Sequence, residues 1–142
     1  MDNENKLLDS EFTELNVSLP KIYSKRVIWG FSIFFSSIFG GVLLMQNLKD
    51  IGKKKEAYMI LILSIVYTVL TIYIVNIPEK TNSSLTLLCN AIGGLILSRY
   101  FFTKYFPIED KYEKKKIWKP LIISIIIMIP FVIAMIYSLN QK

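Results

Sequence analysis

Four stretches of the chain, residues 27–46, 57–77, 85–102 and 117–139, are apolar all round rather than along one stripe. A helix in a soluble bundle needs a polar face toward water, and none of these four has one. Each is 18 to 23 residues long. At about 1.5 Å per residue such helices cover roughly 27–35 Å, the thickness of a hydrocarbon core of about 30 Å. The pattern therefore predicts an all-α, integral membrane bundle of four transmembrane helices over 23–142. Residues 1–22 carry five acids against two lysines and no long apolar run. They are expected to be a mobile acidic tail, with Leu8, Phe12 and Leu15 forming at most one amphipathic turn. An acidic start followed by a late apolar run at Val27 is unlike a secretory leader.

The breaks agree with the pattern. Pro78 follows the second segment, Pro107 sits in the third loop, and Pro120 falls in the first turn of the fourth, where a missing N–H costs least. Pro130 lies mid-segment and is expected to kink that helix. Tyr23, Trp29, Tyr58, Tyr100, Tyr105, Trp118 and Tyr137 mark the boundaries as interfacial aromatics do.

Composition adds a net charge of +6 and a hydrophobic fraction of 53%, with mean hydropathy +0.44. Because the lysines stand beside apolar runs instead of lining a polar helix, nucleic acid is not the expected partner; the lipid bilayer is. The chain has no histidine and one cysteine, Cys89. The commonest metal ligand and proton shuttle is thus missing, and no intramolecular disulfide can form. No paired carboxylates occur at membrane depth and no serine has a histidine partner. Catalytic residues, cofactors and a metal site are therefore all expected to be none.

Charge also bears on orientation. Segments 46–57 and 99–119 carry eleven Lys and Arg, against five in the flank before the first segment, the turn 78–84 and the C-terminus. The positive-inside rule places the first and third loops in the cytoplasm. With four full spans both termini then face outward, although Lys21, Lys25 and Arg26 flank the first helix there. An alternative is three spans plus a re-entrant first segment bending at Gly40 and Gly41. Twenty uninterrupted apolar residues more often make a plain span, which is the primary reading. Both versions put the C-terminus outside.

Small residues recur along two segments. Ser32, Ser36 and Gly40 are spaced by four, with Ser37 and Gly41 in a parallel row; Thr86, Asn90, Gly94 and Ser98 repeat the spacing with Gly93 alongside. Lipid supplies no hydrophobic force between helices, so close backbone approach across small residues carries much of the contact. Helices one and three are expected to pack on these stripes, or each to do so in a homo-oligomer. Asn90 is expected to make an interhelical hydrogen bond, and Arg99 to snorkel to the cytoplasmic surface. Lys53, Lys54 and Lys55, with Lys114, Lys115 and Lys116, are membrane-surface anchors; topogenic charge and contact with anionic lipid both account for them.

The run from Ile22 to Ala57 resembles a widespread bacterial family of small multi-pass membrane proteins. Its features are a Tyr-Ser pair (Tyr23, Ser24), a first helix rich in small residues (Gly40, Gly41), an Asn (Asn47), a Gly-Lys step (Gly52, Lys53) and Ala57. Where that family commonly has Gly-Pro in mid-helix this chain has Ser36 and Ser37, a departure that counts against re-entry. The resemblance implies architecture and no chemistry; the expected location is a cytoplasmic (inner) membrane. Asn47 is expected to cap the short turn that Gly52 ends. The favoured function is a non-enzymatic membrane protein acting through helix packing with itself or a partner membrane protein. The alternative is a small transporter or channel subunit with a polar path along Thr86, Asn90 and Ser98 beside Tyr67 and Thr71.

Overall fold

The computed structural model describes residues 19–77 and 83–141. The tail expected over residues 1–18, its amphipathic turn and Pro78 lie outside them. Five helices follow in order: α1 Lys25–Phe35, α2 Ser37–Asp50, α3 Lys54–Asn76, α4 Ser83–Tyr105 and α5 Trp118–Asn140. α4 is α-helical over Ser83–Leu95, passes through a π-helical stretch over Ile96–Phe101, and closes with one α turn. Among the described residues, α3, α4 and α5 are long and apolar enough to cross a membrane.

The first apolar segment is not one helix. It breaks at Ser36 and doubles back, so that Tyr23, ahead of α1, is hydrogen-bonded to Asn47, near the end of α2. With 11 and 14 residues the two arms are about 16 and 21 Å long, too short to cross a core of about 30 Å. The continuous helix expected over 27–46 is thus replaced by a helical hairpin. Nor does it bend at Gly40 and Gly41, which are helical residues inside α2.

The break has a local cause. Serine competes for backbone partners and favours helix N-caps, and Ser36 accepts a hydrogen bond from the Ile38 N–H while its carbonyl takes that of Phe39. Ser36 stands at φ 112°, ψ 159°, the only non-glycine residue with positive φ among those described. That region is almost restricted to glycine and costs a side chain about 1–3 kcal/mol. Replacing Ser36 by glycine is therefore expected to stabilise the fold by about 1 kcal/mol, the released strain exceeding the lost 3.4 Å cap and the added chain entropy. In an uninterrupted helix the same change would destabilise, by about 0.5 kcal/mol. The sign of the shift in a detergent-unfolding midpoint separates the two.

Small residues let the arms and α3 close up. A Cβ on Gly40 would stand 2.9 Å from the Ile28 carbonyl oxygen, and one on Gly41 2.5 Å from Ser64 Cβ. The Ser32 and Ser64 hydroxyls donate to their own helices, at Ile28 O and Ile60 O, both 2.8 Å. Each hydroxyl thus lies in the seam against a glycine with its hydrogen-bonding need met by its own helix. α1 packs on α2 and α4, and α2 on α3. The deepest apolar side chains, Ile22, Ile28, Leu44, Leu48, Ala57 and Ile60, are fully buried around the hairpin. Ile22, expected at the edge of a mobile tail, belongs to this core.

α5 is different. Ser124 is its only buried residue, and Leu121 is the one side chain that leans on the core. Ile126, Phe131, Ile133 and Met135 are each at least 60% exposed. So much bare aliphatic surface suits lipid and not water.

Candidate functional site

The polar chemistry gathers at one end of the molecule, the neck of the hairpin. The Asn47 side chain is fully buried there. Its Oδ1 accepts from the Tyr23 N–H and its Nδ2 donates to the Tyr23 carbonyl, both at 2.8 Å. One amide thus pairs both backbone groups of a residue that lies outside any helix. It does not cap the turn after α2, as the sequence led us to expect; that turn is closed by backbone bonds from Ile51, Gly52 and Lys53, with Gly52 at φ 80°.

Beside the clamp, Ile22 and Lys114 form a parallel β-bridge: the Ile22 N–H donates to Glu113 O (2.8 Å) and the Lys115 N–H to Ile22 O (2.7 Å). This ties the chain before α1 to the loop between α4 and α5. Glu109 in that loop accepts from the Lys25 N–H at 3.2 Å, setting a carboxylate at the N-terminus of α1, where the helix dipole favours it. The Val27 N–H donates to Ser24 Oγ and completes that cap. Lys115 pairs with Asp50 at the end of α2 and stands over the Tyr23 ring, 5.0 Å from its centroid. Phe102, Phe106 and Tyr112 stack in series beneath, with centroids 5.1 and 5.4 Å apart.

The small-residue positions fall as follows. Gly94 faces α1, where an added Cβ would lie 2.7 Å from Ser32 Cβ and 3.0 Å from Trp29 Cδ1. Gly93 abuts Ser37 and Tyr67. Ser36 shares no stripe with Ser32 and Gly40, because the chain turns at it and Gly40 comes back onto Ser32 from the other arm. Thr86 and Asn90 are half-buried, and the Asn90 side chain makes no hydrogen bond among the described residues, so the interhelical bond expected of it is not formed. Ser98 is buried, with its hydroxyl 3.4 Å from Leu95 O. Lys53, Lys54 and Lys55 are exposed where α3 begins, Lys53 also lying 5.1 Å from the Tyr105 ring centre.

A second feature lies at the hairpin tip. A cavity of about 230 Å³ opens between Ser37, Tyr67, Gly93, Leu97 and Phe101, against the π-helical stretch of α4. Its wall is almost wholly apolar, and Tyr67 already donates its hydroxyl to the Cys89 carbonyl at 2.8 Å. Thr71 is buried on α3 one turn beyond. Such a wall holds hydrocarbon and offers no stepping stones to an ion. Among the described residues, no group of three His, Cys, Asp or Glu side chains is placed to hold a metal ion.

The neck was missed at the level of the sequence, although its signals were present. The sequence points to Asn47 as a local cap and to Tyr23 as an interfacial aromatic, and an asparagine 24 residues from its partner carries no periodicity that joins the two. Comparison with protein-family models, with curated proteins and with solved structures gave no match.

Proposed function

We propose that the chain is a small, non-enzymatic integral membrane protein, in which a re-entrant hairpin locked at its neck braces α3 and α4 and leaves α5 to pack against a partner helix in the bilayer. The observation that carries this reading is the contrast in burial. Small residues of α1, α2 and α4 face one another within the chain, whereas α5 presents Ile, Phe, Val and Met with Ser124 alone buried. The small-residue faces are thus occupied within the chain, and most of α5 is left uncovered. Purification in mild detergent, followed by mass analysis of the co-purifying chains, is expected to recover α5-dependent partners, a second copy included. A lone monomer in every detergent that keeps the fold would overturn the proposal.

The membrane in question is, in our reading, a bacterial inner membrane crossed by α3, α4 and α5, with the hairpin entering from the cytoplasm and returning to it. This arrangement removes the conflict over Lys21, Lys25 and Arg26. They join the eleven cations of 46–57 and 99–119 on one side, and Lys80 and Lys142 are left on the other. Two outcomes are expected. A cysteine at Ser10, in a Cys89→Ser background, should react with an impermeant thiol reagent only after lysis. A reporter fused after Lys142 should be active only outside the cytoplasm. Labelling of Ser10→Cys in intact cells with accessible periplasm would restore the four-span alternative.

A further inference from the structure

Lys21, Lys114, Lys115, Lys116 and Lys119 converge around a groove of about 570 Å³ that Tyr23 and Trp118 complete. Two separate chain segments supply these lysines, and the β-bridge between Ile22 and Lys114 holds the segments together. Like charges held this close repel, so the cluster calls for counter-charge. Part of it is internal: Lys21 pairs with Glu113 at 3.0 Å, Lys114 with Glu109 at 3.8 Å, and Lys115 with Asp50. Lys116 and Lys119 have no acidic partner among the described residues. Three nearby carboxylates are thus matched by three lysines, and two cations are left over at one concavity.

Depth identifies what answers them. Trp118 and Lys119 are the first residues of α5, and Trp118 is 67% exposed, as an indole anchored at the membrane surface would be. The groove therefore opens at the level of lipid phosphates, beside the helix with the most bare apolar surface. Lys53, Lys54 and Lys55 provide the contrast: they also flank a span, but none of them lines this groove. Topogenic charge needs no concavity; a bound headgroup does.

We propose that this groove binds the phosphate-bearing headgroup of an anionic lipid, with Lys116 and Lys119 as its cationic contacts and Trp118 packing beside the glycerol region. The inference rests on the membrane reading above. Its test uses the full chain in phosphatidylcholine nanodiscs titrated with phosphatidylglycerol, with retained lipid counted by native mass spectrometry. Lys116→Gln/Lys119→Gln is expected to weaken retention about tenfold or more, since each removes a direct charge-assisted hydrogen bond to a bound phosphate. Lys54→Gln/Lys55→Gln removes the same charge and is expected to change it less than about twofold. Equal losses in the two pairs, or none in the first, would overturn the site.

Glycerol phosphate in millimolar excess distinguishes the source of the phosphate. Failure to displace the lipid fits a headgroup site, whereas full displacement would make a soluble phosphate ester the ligand and overturn the lipid assignment. A chain that does not enter nanodiscs refutes the membrane reading instead. Glycerol phosphate binding to the detergent-solubilised chain, compared between the same two double variants, then decides the groove by itself.

Discussion

Asn47→Leu is expected to destabilise the protein by about 3 kcal/mol or more. Leucine has the branching and heavy-atom count of asparagine but is the bulkier side chain, so the change removes the two bonds to Tyr23 and adds some crowding beside the buried Leu43, Leu44 and Leu48. The Tyr23 N–H and carbonyl then remain buried without partners, at about 1–3 kcal/mol each. Asn47→Asp separates the two bonds: it keeps an acceptor for the Tyr23 N–H and sets a carboxylate oxygen against the Tyr23 carbonyl. It should cost at least as much as the leucine. Denaturation in detergent, followed by tryptophan fluorescence from Trp29 on α1, reads both variants. A loss under about 1 kcal/mol for both would mean that the hairpin is held by its arms and not by its neck.

The neck also explains how far the sequence could be read. Three of the four apolar segments became helices within three residues of the expected limits, because a 20-residue apolar run has few other ways to satisfy its backbone in lipid. The first segment had equal length and hydropathy, and hydropathy does not register a change of direction. What turned it was Ser36, one residue accepting a conformation that glycine prefers. Its presence in place of a Gly-Pro pair counts against re-entry in the sequence, yet Ser36 and Ser37 hold the turn and the first helical position of α2 where those two residues would be favoured. The motif residues were legible as a set and not as a mechanism. Tyr23 and Asn47 are 24 residues apart in the chain and meet only when the hairpin closes. Ser24 caps α1, Gly52 ends the turn after α2, and Ala57 lies fully buried at the start of α3. The spacing of small residues by four runs across the turn at Ser36 and so describes no single stripe, although Gly40 and Gly94 each stand where a neighbouring segment comes close. It could not tell whether Gly40 would meet another helix or the other arm of its own segment.

Gly94→Leu is the second change expected to have a large effect, because Gly94 lies where the hairpin meets α4. An added Cβ stands 2.7 Å from Ser32 Cβ, and the rest of a leucine side chain would drive into Trp29 and α1. Ser32 cannot yield easily. Its hydroxyl is bonded back to Ile28 O and its face is pressed by Gly40 from the second arm, so relief requires that α1 and α4 separate. Overpacking a closed contact costs typically about 1–3 kcal/mol, and the upper end is expected where backbone flanks the site on both sides. Gly94→Ala should be milder but still unfavourable, since its Cβ alone violates the contact. Ile92→Leu, on the exposed side of α4, is a near-isosteric control and should be silent within about 0.5 kcal/mol. Trp29 borders Gly94, so in a Trp118→Phe background the emission should shift with Gly94→Leu and not with Ile92→Leu. If the two variants unfold at the same midpoint with the same emission, α1 does not dock on α4 through Ser32, and the hairpin would have to brace the bundle through α2 and α3 alone.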